Sequence, residues 1–188
     1  MTNISTSATI TSDIDFFQSE NSTYSTAFRN LQGGIGYKVG ITGGSGAGYS
    51  QADAIYNLAG YVIPSGSVRE YDFKSLPQEA VGSSYVLSMT GIKALVIRNH
   101  NTGVNEALRL RATGLGFSGL FHGQAGDVRI EPQGVYMYTN PIFGLSVPSG
   151  ASFIQIHNIG SGAPSPTPNY NTGIAISIVA VGISGTGG

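Results

Sequence analysis

Ala94-Leu95-Val96-Ile97-Arg98-Asn99 and Ser152-Phe153-Ile154-Gln155-Ile156-His157-Asn158 are two versions of one phrase. Each is a β-prone run that halts at an asparagine and opens into a polar, glycine-bearing loop. The alternation continues from about residue 54 to residue 183, so the chain is built of short strands and turns. Working outward, period-two runs fall at 54–63, 68–73, 85–89, 93–99, 107–112, 127–131, 135–140, 143–147, 153–157 and 174–183. In the run at 107–112, Leu108, Leu110 and Ala112 share one face while Arg109 and Arg111 share the other, the pattern of a half-buried antiparallel strand. In the closing run, Ile174, Ile176 and Ile178 alternate with Ala175, Ser177 and Val179, and small residues on that second face suit close packing against a neighbour.

Turn chemistry punctuates these runs. Pro64-Ser65-Gly66 between the first two predicts a type I turn and a β-hairpin. The device returns at Val147-Pro148-Ser149-Gly150 and, varied, at Glu131-Pro132-Gln133-Gly134, which predicts a repeated architectural corner. Helix is expected at most as a single turn near 75–81. The fold class is therefore all-β: an antiparallel β-sandwich of the jelly-roll type, with a partly closed barrel as the alternative.

The chain divides near residue 50. A length of 188 residues buries roughly 70% of its unfolded surface in one core, so one principal domain with an extension is the expectation. Residues 1–30 are rich in Ser, Thr and Asn, and residues 33–48 hold eight glycines, from Gly33 to Gly48. Residues 1–52 are read as an extended, glycine-rich N-terminal arm and hinge, 53–184 as the sandwich, and 185–188 as a flexible tail. Within the arm, Phe16, Phe17, Tyr24 and Phe28 are the candidate anchors onto another surface. Tyr136 and Tyr138 alternate with Val135 and Met137, which gives that strand two apolar-bodied faces and makes the tyrosines candidate subunit-interface residues.

Composition narrows the function classes. Charged residues are 10% of the chain against about 25% in an ordinary domain, with 28 Gly, a surface suited to burial in an assembly. The net charge is −1 and the nine basic residues are scattered, so a direct nucleic-acid contact is not expected. There is no Cys, hence no disulfide or thiolate chemistry. The start, Met1 to Ser7, lacks the basic and apolar regions of a signal peptide, and no run reaches the roughly 20 apolar residues of a membrane helix. The chain reads as soluble and made in a cytoplasm, without a membrane partner.

Candidate chemistry is sparse. His100, His122 and His157 are far apart, and as loop residues they outweigh a His-and-carboxylate metal site. Gly114-Leu115-Gly116-Phe117-Ser118-Gly119 matches the dinucleotide fingerprint in letters, but no helical period follows it, and the motif works only at a helix N-terminus. Glu70 with Asp72, and Asp127 with Glu131, are carboxylate pairs of the kind exposed strand faces carry routinely. Asn3 and Asn21 fit the glycosylation acceptor pattern, which is common by chance. No catalytic, cofactor-binding or metal-binding residue is assigned, and no enzymatic activity is expected.

The run Gly91 to Asn99, then Ile130-Glu131-Pro132-Gln133-Gly134, Ile154 to Gly160 and Ala175 to Gly182 resembles tailed-bacteriophage virion proteins. The likeness is to small jelly-roll head decoration or cement proteins, over roughly residues 52–184, with strands ending in Ile-x-Asn and a closing strand ending in Gly. The insertion 160–171, with Pro164, Pro166 and Pro168, departs from that pattern. The resemblance implies a homotrimer bound to the major capsid protein on the outside of a phage head, often with an extended arm on the shell. It implies no catalytic residue. Two other readings stand beside it. One is a fibre-associated receptor- or carbohydrate-binding module using loops with His100, Asn101, Asn105, His122, Asn169, Tyr170 and Asn171. The other is a tail or connector protein of six-fold assembly.

Overall fold

The structure is a computed structural model, and it describes residues 8–20, 29–43, 51–80, 83–103, 106–112, 120, 127–150, 152–160 and 173–185. The described elements are strands: β1 (Ala8–Glu20), β2 (Arg29–Gly43), β3 (Gln51–Ala52), β4 (Ala54–Ile63), β5 (Val68–Asp72), β6 (Leu76–Ala80), β7 (Ser83–Leu87), β8 (Met89–Asn99), β9 (Ala107–Ala112), β10 (Asp127–Ile130), β11 (Val135–Thr139), β12 (Leu145–Ser146), β13 (Phe153–Gly160) and β14 (Ile174–Ser184).

Two antiparallel sheets form the body. One has the order β10-β9-β13-β5, and the other β11-β8-β14-β4 with β12 also on β8. Inward side chains from both meet in a single core: Leu108, Leu110, Ile130, Ile154 and Ile156 from the first, Ile63, Leu95, Ile97, Ile176 and Ile178 from the second. The sequence dictates this, because the core-facing aliphatic residues of these strands recur at every second position and so share one face. The body is thus sandwich-like, as the periodicity predicts.

The expected hairpin at 54–73 is corrected. β4 pairs with β14 and β5 with β13, so the turn between them carries the chain from one sheet to the other. The corners at Pro132 and Pro148 do the same, joining β10 to β11 and β12 to β13 across the layers. All three predicted corners therefore switch sheets. Each places a positive φ three residues after a buried core residue: Gly66 after Ile63, Gln133 after Ile130, Gly150 after Val147. The first turn is also shifted by one from the expected register, since Ser67 N–H donates to Pro64 C=O at 3.1 Å. With Gly66 third in the turn at φ 66°, the sign pattern is that of type II and not type I.

The helical turn expected near 75–81 is instead β6, paired antiparallel with β7. Leu76, opposite Leu87, is fully buried, and its burial decides the local structure against a polar, helix-tolerant run. In β4 the register slips opposite Ser177, where Gly60 at φ 68° takes up a bulge.

The glycine-rich N-terminal region carries a long antiparallel hairpin of β1 and β2, with Ile14 opposite Ile35. β2 then meets β3 in a short parallel pair. At this base Ile41 and Ala52 pack with Ala94 and Val181 in a second, smaller cluster. Ala94 and Val181 are opposite one another on β8 and β14, so the base of the hairpin is seated on the outer side of the larger sheet.

Candidate functional site

Cross-strand register lays out that outer side in rows. Ile55, Val181, Ala94 and Thr139 form one row across β4, β14, β8 and β11; Asn57, Val179, Val96 and Met137 form the next. A third row contains Ser177, Arg98 and Val135. The first row is covered by Ile41 and Ala52, whereas Val135 and Met137, at the β11 edge, are 55% and 39% exposed. The loop after β11 adds Ile142 and Phe143, the latter 79% exposed. The β11 edge of this side is thus exposed and apolar at Val135 and Met137.

The sequence-predicted interface residues sit differently from one another. Tyr136 and Tyr138 are half-buried and packed against the core, and the Tyr136 hydroxyl donates to Leu120 C=O at 2.9 Å. Burial, and secondarily the neighbouring Tyr138, pushes the Tyr136 pKa up to about 12. The exposed face of β11 is that of Val135 and Met137, the partners in the alternation. Phe16 and Phe17 lie on β1 opposite Gly33 and Gln32. Tyr24 and Phe28 lie outside the described residues.

Loop groups considered for ligand contact are committed elsewhere. His100 Nε2 pairs with Ser177 Oγ at 2.7 Å, Asn101 Nδ2 donates to Gly173 C=O at 3.0 Å, and Asn101 Oδ1 accepts from Ala175 N–H at 2.9 Å. They stitch the β8–β9 loop to the start of β14. His157 pairs with Gln155, while Asn105, His122 and 169–171 lie outside the described residues. Among the described residues no cluster of three or more His, Asp or Glu could hold a metal, and no helix is long and apolar enough to cross a membrane.

A second feature escaped the sequence reading. β4 and β5 are the end strands of their sheets, and between them lies a cleft of about 580 Å³. Tyr56 and Tyr71 are buried in it, Tyr61 is half-buried, and Arg69 and Glu70 are exposed at its mouth. The Arg69 guanidinium stands 5.4 Å from the Tyr61 ring centroid. The Tyr71 hydroxyl is buried. Burial, and after it the neighbouring Tyr56, pushes the Tyr71 pKa well above its ordinary value, while the Arg69 charge and its side-chain hydrogen bond act in the other direction. Glu70 accepts from Gln155 Nε2 at 2.5 Å, and Asp72 accepts from Lys74 N–H at 2.9 Å and from the Ser152 hydroxyl. The missed signal was the spacing Tyr56, Tyr61, Arg69, Tyr71 around a corner, which converges only if the corner crosses between sheets.

Comparison with protein-family models, with curated proteins and with solved structures finds no match to the chain.

Proposed function

We propose that the chain is a non-enzymatic structural protein of a tailed-bacteriophage virion, a jelly-roll decoration protein that binds the outer surface of the head as a homotrimer and braces the shell against the major capsid protein. The strand orders β4-β14-β8-β11 and β5-β13-β9-β10 support the jelly-roll reading, in which two nested Greek keys fold eight strands into two sheets. The fold alone does not give a function. The observation that carries the reading is the outer side of the larger sheet, where the base of the hairpin covers one end through Ile41 and the apolar β11 edge stays open at the other.

An open apolar edge suits a repeated contact between copies, and a hairpin reaching from the same sheet suits a contact with the shell. Phe16 and Phe17 on β1, with Tyr24 and Phe28 in the segment that follows, are the arm's proposed anchors. The test is the solution mass of the protein, alone and after mixing with undecorated heads. A trimer that co-sediments with heads supports the reading; a monomer that ignores them overturns it, and a hexamer on tails moves the chain to the connector. Removal of residues 1–40 retains Ile41 over Ala94 and Val181 and abolishes head binding while leaving the body folded.

A further inference from the structure

We propose that β11 is a strand-addition edge that pairs, antiparallel and about a two-fold axis, with β11 of a second copy of this chain. The two sheets of the body end at β10, β5, β4 and β11. End strands invite further pairing unless charge, proline or a bulge blunts them. β10 carries Asp127 and Arg129, β5 carries Arg69, Glu70 and Asp72, and β4 is interrupted by the bulge at Gly60. β11 has none of these devices: Val135-Tyr136-Met137-Tyr138-Thr139 is uncharged, free of proline and in unbroken register with β8. Among the described end strands of the body, it is the one left unguarded.

Hydrogen-bond parity fixes which groups this edge offers. Asn99 N–H donates to Gly134 C=O at 3.0 Å, and Asn140 N–H donates to Lys93 C=O at 2.9 Å. With the register unbroken between them, Tyr136 and Tyr138 bond to β8 as well, while Val135, Met137 and Thr139 turn N–H and C=O to the open side. Among the described residues no strand meets those groups. The occupant is a second copy because the edge is complementary to itself. Centred on Met137, Met137 pairs with Met137 of the second copy and Val135 with its Thr139, so every outward N–H and C=O gains a partner. Exposed Val135 and Met137 share the outer face, so apolar groups meet across the axis and no like charges are opposed. The same register brings the loop after Thr139, with Phe143 79% exposed, beside the second copy's corner at residues 131–134.

This pairing rests on the contact between copies proposed for the β11 edge, and a two-fold contact fits a trimer only as a link between neighbouring trimers. The chain has no cysteine, so a single introduced thiol reports position. Met137→Cys in the intact chain, mildly oxidised, is expected to give a covalent dimer, because residues of a bonded pair face each other about 5.5 Å apart at Cα, within disulfide reach. Val135→Cys alone stays uncross-linked, since its equivalent in the second copy lies roughly 13 Å along the strand; mixed with Thr139→Cys it cross-links. Met137→Lys and Met137→Glu each weaken self-association at least tenfold in sedimentation velocity, and an equimolar mixture of the two restores it. No covalent dimer from Met137→Cys, or cross-linking of Val135→Cys alone as readily, overturns the proposal. So does protection of the Val135, Met137 and Thr139 amides from hydrogen exchange only after mixing with undecorated heads, which assigns the edge to the capsid protein. A trimer without the position-137 cross-link sinks this pairing and leaves the trimer standing, whereas a cross-linked dimer that ignores heads overturns head binding and keeps the pairing.

Discussion

Asn99 and Asn158 hold the same place in two copies of one corner clamp. Asn99 N–H donates to Gly134 C=O at 3.0 Å, and its side-chain amide reaches Ile130 C=O at 3.4 Å and Glu106 C=O at 2.7 Å. Asn158 N–H donates to Ser67 C=O at 3.0 Å, and its amide reaches Ile63 C=O at 3.1 Å and Pro64 C=O at 3.3 Å. In both, the clamped carbonyls belong to a buried isoleucine and to the fourth residue after it, on either side of a tight turn. Asn99 lies on the larger sheet and grips a corner leaving the smaller; Asn158 lies on the smaller and grips a corner leaving the larger. A strand that quits its sheet strands a carbonyl in the core, and a buried amide donor satisfies it.

Asn99→Ala and Asn158→Ala each remove those donors and leave buried carbonyls unpaired, a loss of roughly 2–4 kcal/mol. Replacement by Asp costs more, because a carboxylate only accepts and faces carbonyl oxygens. Urea denaturation checks both; a loss below about 0.5 kcal/mol at either position rules out the clamp as a determinant of stability.

That clamp explains what the sequence made legible. The paired Ile-x-Asn phrases, the three Pro-bearing corners and the alternation all lie within a few residues of chain, and the structure follows them. The direction of the first corner is not local. A proline-and-glycine turn between two period-two runs serves a hairpin or a passage between sheets equally well, and Asn158, far along the chain, decides. The same holds for Leu76, whose burial beside Leu87 turns an expected helical turn into β6. The strand of Tyr136 and Tyr138 was legible, but its alternation did not say which face meets the core. The cleft was invisible for the first reason: Tyr61 and Arg69 meet only across the corner.

Gly66 and Gly182 separate backbone strain from crowding. At Gly66 the φ is 66° and no atom lies within 4 Å of an added Cβ, so Gly66→Ala costs only the left-handed conformation, about 1–2 kcal/mol. At Gly182 an added Cβ meets the Gly91 carbonyl oxygen and the Met89 sulfur at 3.2 Å, and backbone cannot yield as a side chain can. Gly182→Ala is therefore the more damaging change, by more than about 2 kcal/mol over Gly66→Ala. Equal midpoints in urea for the two variants would contradict this.

Alkaline pH weakens the fold. Burial raises the pKa values of Tyr56, Tyr71 and Tyr136 above the 10.0 of an unfolded tyrosine. Above pH 10 the unfolded chain has therefore released protons that the folded chain keeps, and stability falls as pH rises. The contribution is present in full below about 10 and is lost through the folded values, about 12 for Tyr136. Buried Lys93, lowered from 10.5 by desolvation, acts with the opposite sign and raises stability with pH up to that value. Denaturation midpoints should hold or rise slightly to pH 10 and decline beyond it. Tyr136→Phe should make the decline shallower, at the cost of its bond to Leu120, about 0.5–1.5 kcal/mol at neutral pH. An unchanged slope in that variant refutes the assignment.

Phe143 and Met137 test the proposed contact between copies without disturbing the core. Both are exposed, at 79% and 39%, so Phe143→Ser and Met137→Lys leave unfolding free energy within about 0.5 kcal/mol of the parent. Ile92 and Tyr138 differ from them in being buried or half-buried on the core side, and changes there damage folding before they reveal anything about assembly. If the β11 edge is the contact, the exposed pair lowers the solution mass toward the monomer at protein concentrations where the parent is oligomeric. Apolar groups that are exposed in one copy and buried in the assembly affect dissociation most, so sedimentation velocity over a dilution series is the sensitive readout. Variants that keep the parent's mass throughout that series place the contact elsewhere, and the hairpin of β1 and β2 becomes the next surface to change.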